Sequence, residues 1–193
     1  MAILIKAIAF LMSKLPHFIL GEICQSLGAL MIWLPLKRRR VLLSNLVHAF
    51  PSWDKAKLKS VARESATRMF EMGLFSIIYP YFNTVRRLRT VVYDPKTTKQ
   101  LDELRKDNVP VLFLVPHVSL FETLATSPYF RPNKGKDLGA VYRPNRNPKL
   151  DDWITEARLS TGMKLSSRKA GLKKALYFLR VGNWLTVLFD QNG

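Results

Sequence analysis

The 19 residues from Phe18 to Leu36 carry one formal charge, Glu22, and run straight into Lys37-Arg38-Arg39-Arg40. A helix that crosses a bilayer needs roughly 20 mostly apolar residues. This run is near that length but is interrupted by Glu22, Gln25 and Ser26. It reads either as a spanning helix or as an amphipathic element lying in the interface. Met1–Ser13 is apolar apart from Lys6, with no basic stretch before it and no small-residue cleavage pattern after it. A secretory signal is therefore not expected. Four cations directly after an apolar run favour a cytoplasmic position for the chain beyond them and attract anionic lipid. Residues 1–36 are expected to form a membrane-associating segment, and residues 37–193 a folded domain. The competing reading is the core helix of a soluble protein with a solvated charge run after it.

A chain of 193 residues with 48% hydrophobic content can bury one sizeable core. Lys and Arg total 31 against 14 Asp and Glu, a net charge of +17. That excess calls for an anionic partner: nucleic acid, a membrane surface, or an acidic or phosphorylated substrate. Nucleic acid is the weakest of the three. No zinc-finger spacing or RNA-recognition signature is present, and the aromatic residues fall in apolar runs. The lone cysteine, Cys24, excludes an internal disulfide and reads as a buried, inert thiol. His17 and His48 lie far from His117 in apolar helical contexts, so no metal site is expected, and no glycine-rich phosphate loop occurs.

Apolar spacing and punctuation divide the chain further. Val41–Phe50 has helical spacing and stops at Pro51. Ser52-Trp53-Asp54 reads as a cap for a long helix, Lys55–Tyr79, with Leu58, Val61, Ala62, Met69, Met72 and Phe75 on its apolar face. Thr84–Thr90 carries Arg86, Arg87 and Arg89 ahead of a short strand expected at Val91-Val92-Tyr93. A helix is expected next over Lys96–Lys106. Val109–Val115 is expected to be a buried strand, closed by Pro116, with a helix beginning over Leu120–Thr126. Leu138–Tyr142, Met163–Leu165 and Trp184–Phe189 are further strands. Pro148–Thr161, stopped by Gly162, and Ala170–Arg180, ended by Gly182, are helices. Alternation of this kind implies an α/β fold with a mixed, largely parallel sheet flanked by helices. In such sheets functional groups collect just past the C-terminal strand ends, where His117 and Asp190 both fall. Ending on Asp190-Gln191-Asn192-Gly193 straight after a buried strand, the domain is expected to be incomplete at its C-terminus.

The residues that carry chemistry are His117 and Glu122, an H-x4-E pair. Five helical steps of about 100° place such residues roughly 140° apart, so they do not share a helix face. They meet if His117 stands on the loop and Glu122 in the first helical turn. The carboxylate then orients the ring through one nitrogen and leaves the other as a base. Arg143, Arg158 and Arg168 are candidates for holding phosphate or a developing oxyanion, because a planar guanidinium matches those groups. Asp190 reads either as a substrate-binding residue or as a helix cap.

The whole chain resembles the bacterial lipid A biosynthesis acyltransferases of the lauroyl/myristoyl type, within the wider H-x4-[DE] acyltransferases. The resemblance is carried by Arg38-Arg39-Arg40, Asn45-Leu46, Phe50-Pro51, Pro116-His117, Glu122, Tyr142-Arg143-Pro144, Asn147-Pro148, Arg158, Gly162, and Gly182 through Leu188 with Asp190 and Gln191. The sequence differs from the family pattern in placing Leu120-Phe121 before Glu122, and that pattern continues past the Asp-Gln element. The resemblance implies a His base that deprotonates a hydroxyl of a phosphorylated glycolipid, which attacks the thioester of an acidic acyl carrier protein or acyl-CoA. It implies no bound cofactor, no nucleic acid, and a place on the cytoplasmic face of the bacterial inner membrane. Glycerolipid or other glycolipid acceptors, and a non-catalytic membrane-surface protein, are the alternatives.

Overall fold

The computed structural model describes residues 2–92, 94–117, 123, 130–144, 147–159, 162–167 and 171–190. Two apolar helices, α1 (Ala2–Met12) and α2 (His17–Trp33), are joined through Pro16 as an open hairpin with little contact between them. Leu34-Pro35-Leu36 then breaks the chain, and α3 (Lys37–Ala49) leaves at 85° to α2. Among the described residues no single helix is long and apolar enough to cross a membrane, although the bent α2–α3 pair passes by length and composition. The Lys37–Arg40 run is the first turn of α3 itself, not a flank to it. Cations at a helix N-terminus oppose the helix dipole, and Leu36 provides no side-chain cap.

The long helix α4 (Lys55–Ile78) starts where Asp54 accepts a hydrogen bond from the Lys57 N–H at 2.7 Å. It buries Leu58, Ala62, Ala66, Thr67, Phe75 and Ile78. One end packs on α2 and α3 around Met31 and Ile32. The other joins Ala9 and Leu20 of the hairpin, Tyr79, Phe82 and the more distant Trp153 in a second cluster. At the crossing of α2 and α4, Gly28 lies against the Thr67 backbone so closely that an added Cβ would sit 2.7 Å from its nitrogen. A 3-10 turn, Tyr79–Tyr81, ends α4 at Pro80.

Thr84–Thr90 is a helix, α5, capped by Asn83 accepting from the Arg86 N–H at 2.8 Å. Of the strand expected at Val91-Val92-Tyr93, the described residues Val91 and Val92 are not in a strand, and Tyr93 lies outside the described residues. Their β-branched side chains suit a strand, but Asp94 caps the next helix immediately, so the stretch serves as a short connector. That helix is α6 (Pro95–Lys106), with Pro at its first position.

The described residues form a four-stranded sheet from β1 (Val111–Val115), β2 (Leu138–Tyr142), β3 (Lys164–Ser167) and β4 (Trp184–Leu188). The strand order is β1-β4-β2-β3, and all three pairings are parallel. Helix α7 (Pro148–Leu159) connects β2 to β3, and α8 (Gly171–Arg180) connects β3 to β4. On one face Phe113, Leu138 and Trp184 meet Leu101 of α6 and Phe130. The Phe113 ring lies 4.2 Å from that of Phe130 and 5.3 Å from that of Trp184. On the other face Gly139 makes room for the Phe178 ring of α8, which a Cβ there would strike at 2.6 Å. β1 is not the buried strand its composition predicts. Among the described residues it lies at the edge of the sheet, and Leu112 and Leu114 are exposed. The expected helix over Leu120–Thr126 lies outside the described residues, apart from the buried Thr123.

Candidate active site

Parallel pairing of β1 with β4 sets Val115 opposite Leu188. The residues two steps beyond each strand, His117 and Asp190, are thereby brought side by side at the C-terminal edge of the sheet. Pro116 and Phe189 turn the chain between strand and site residue. The His117 backbone N–H donates to Asp190 Oδ2 at 2.9 Å, and His117 Nδ1 lies 2.6 Å from Asp190 Oδ1. An ionised carboxylate only accepts, so Nδ1 carries the proton of that bond, and in the neutral ring Nε2 carries the lone pair. The His117 side chain hydrogen bond holds the Asp190 carboxyl below the usual carboxylate range, against the opposing effect of burial. Both side chains are partly exposed, 22% for His117 and 32% for Asp190, so the pair is reachable from solvent.

Fixing backbone and ring to one carboxylate sets both the tautomer and the direction of the imidazole. This is the geometry that a general base requires from its orienting acid. Sequence reasoning places Asp190 at the correct edge but reads it as a substrate-binding residue or a helix cap. In the structure it bonds the ring of His117, the kind of contact also expected of Glu122. Glu122 lies outside the described residues, as does Arg168. The available signal is positional, since both His117 and Asp190 stand two residues past a strand. Nothing in the linear order says that β4 is inserted beside β1.

Arg143 follows β2, the other neighbour of β4, and is exposed at the same edge as His117 and Asp190. Arg158 sits elsewhere. It occupies the last turn of α7, which runs back toward the N-terminal end of β3, away from the His117 edge. Among the described residues no group of three His, Cys, Asp or Glu side chains is placed to hold a metal ion.

The family pattern described as bacterial lipid A biosynthesis acyltransferase matches residues 1–193. Curated relatives agree with it. The chain is 28% identical over 162 residues to "Lipid A biosynthesis acyltransferase 2" of Shigella flexneri, covering 81% of this chain and 48% of that protein. It is 27% identical over 156 residues to "Lipid A biosynthesis myristoyltransferase" of Escherichia coli (strain K12), covering 80% and 46%. Over 178 residues it is 25% identical to "Lipid A biosynthesis acyltransferase" of Haemophilus influenzae, covering 86% and 51%. The chain thus spans about half the length of the curated relatives it matches.

Proposed function

We propose that this chain, which belongs to the bacterial lipid A biosynthesis acyltransferase family, transfers a fatty acyl group from a thioester to a hydroxyl of a lipid A precursor, with His117 as general base. The observation that carries this reading is the two-point contact between His117 and Asp190. His117 Nε2 takes the proton of the acceptor hydroxyl as its oxygen attacks the thioester carbonyl. The tetrahedral intermediate collapses to the ester and expels the thiolate, which the imidazolium reprotonates. Asp190 is a positioning residue: it fixes the ring and stabilises the imidazolium that forms. Glu122 stays in the proposal as a second positioning carboxylate on the strength of the H-x4-E motif alone. Arg143, at the same sheet edge, is assigned to the phosphate of the acceptor or to the oxyanion.

The donor proposed is an acidic acyl carrier protein, drawn by the net charge of +17, with acyl-CoA as the other thioester of this class. The place proposed is the cytoplasmic face of the bacterial inner membrane. Leu11, Phe18 and Trp33 of the α1–α2 hairpin are 66%, 72% and 78% exposed, and the cations of α3 come directly after it. This supports a hairpin lying in an anionic interface.

The test is acyl transfer by the detergent-solubilised chain from labelled acyl-acyl carrier protein to a tetra-acylated lipid A precursor, with His117→Ala alongside. Labelled product from the unmutated chain alone is expected. Equal product from both chains would remove His117 from the mechanism. Product only with a glycerolipid acceptor would reassign the substrate.

A further inference from the structure

Helix α5 presents an apolar and basic face that the hairpin reading does not use. Val85, Leu88 and Arg89 stand at i, i+3 and i+4, on one side of the helix. Val85 and Leu88 are exposed there, and Val92, just past the helix, is 90% exposed. Arg86, on the flank of that face, is turned inward. Its Nη1 donates to the Ser13 carbonyl and its Nη2 to the Leu15 carbonyl, each at 2.5 Å. Its Nε donates to His17 Nε2 at 3.3 Å. Its guanidinium also lies 4.0 Å from the centre of the Phe82 ring. These bonds pin α5 to the turn between α1 and α2, although 69 to 73 positions separate the partners.

The clamp holds two exposed apolar and basic segments close together. On the hairpin side are Leu11, Lys14 and Phe18, and on the α5 side Val85, Leu88, Arg89 and Val92. The α5 sequence, Thr84–Thr90, contains three arginines and no acid. The nearest acids along the chain are Glu22, one turn beyond Phe18, and Asp94, which is spent capping α6. Exposed aliphatic and aromatic side chains with cations at their margin suit an anionic bilayer surface. The apolar groups enter the acyl boundary and the long basic side chains reach the headgroups.

We propose that α5 is a second membrane-contacting element, seated in the same anionic interface as the α1–α2 turn and held in register with it by Arg86. The proposal rests on the interfacial reading of the hairpin and adds to it a contact from the body of the domain. Two separated contacts fix the orientation of the sheet relative to the bilayer, which an N-terminal anchor alone does not.

The test uses the full chain with Cys24→Ala and single cysteines at Phe18, Val85, Leu88 or Val92, each bearing an environment-sensitive fluorophore. A label at Lys99, on α6, is the control. Vesicles of phosphatidylethanolamine with a minority of phosphatidylglycerol are added. Blue shifts at Phe18 and at the α5 positions, with none at Lys99, are expected. Arg89→Gln should weaken partitioning roughly fivefold. A shift at Phe18 with silence at all α5 positions would overturn the second contact and leave the hairpin reading intact. Silence everywhere would overturn both. A response of the α5 labels to acidic acyl carrier protein but not to vesicles would reassign the surface to a protein partner and overturn the lipid proposal.

Discussion

One carboxylate, that of Asp190, accepts from both the backbone N–H and the ring Nδ1 of His117, at 2.9 and 2.6 Å. Asp190→Asn keeps the shape but replaces an ionised acceptor with a neutral amide, which allows the wrong tautomer. Acyl transfer should fall by about 10²–10⁴-fold in kcat with little change in KM. Asp190→Glu should recover part of the loss. A change confined to KM would mean that Asp190 contacts substrate rather than His117.

The lowered pKa of Asp190 sets a pH window. A carboxyl lowered from its ordinary 3.8 contributes its stabilisation fully above that value and loses it as pH falls through the lowered one. The difference in thermal stability between the unmutated chain and Asp190→Asn should persist from neutral pH down to about pH 5 and shrink only in stronger acid. A difference that disappears between about pH 7 and 5 would contradict the contact.

His17 behaves in the related way for a base. Burial, then the charge of Arg86, lowers its pKa below the ordinary 6.5. Nε2 must be unprotonated to accept from Arg86 Nε. The unfolded chain takes up a proton first as pH falls, so the contribution of neutral His17 is full above 6.5 and is lost below it. Amides of α1 and the α1–α2 turn should exchange faster at about pH 5 than at about pH 7 once the intrinsic pH dependence of exchange is divided out. Arg86→Gln should raise exchange at both and cost about 2 kcal/mol, because two carbonyls lose charged donors.

Two glycines in the same helical bundle should respond with opposite signs. Gly28→Ala forces a Cβ to 2.5 Å from Thr67 Oγ1 and 2.7 Å from the Thr67 nitrogen, so α2 and α4 must separate. A loss of about 1–3 kcal/mol is expected by urea unfolding. Gly73, inside α4, has nothing within 4 Å of its would-be Cβ. Gly73→Ala should stabilise by about 0.5–1 kcal/mol through helix propensity. Equal effects would show that the close crossing of α2 and α4 is wrong.

If the donor is an acidic carrier protein, its encounter with a chain of charge +17 is steered. The second-order rate should fall about tenfold between roughly 50 and 300 mM salt. A rate with acyl-CoA that is higher and indifferent to salt would point to the small thioester instead.

Much of this architecture is legible in the sequence because its signals are local. Asp54 reads as a cap and is one, Gly182 ends α8 at a φ of +84°, and Leu138–Tyr142 is a strand over its expected length. Asn83 carries the same capping signal for α5, where the sequence reading has only a basic stretch before a strand. The misreadings come where composition stands in for context. Val91-Val92 is strand-like in type but too short before the Asp94 cap. β1 is apolar throughout yet half-exposed, at the edge of the sheet that the described residues form.

By itself, then, the sequence determined most of the helices and strands among the described residues, the apolar character of the hairpin, the family, and the position of His117 past a strand. Those properties depend on periodicity, capping and neighbours within a few residues. Only the tertiary structure decided that β4 enters between β1 and β2. That insertion makes Asp190 a partner of His117 across 73 positions and, among the described residues, leaves β1 at the edge. Strand order is chosen by which apolar faces are buried together: Trp184 against Phe113 and Phe130, and Phe178 over Gly139. No short stretch of sequence contains both sides of such a contact.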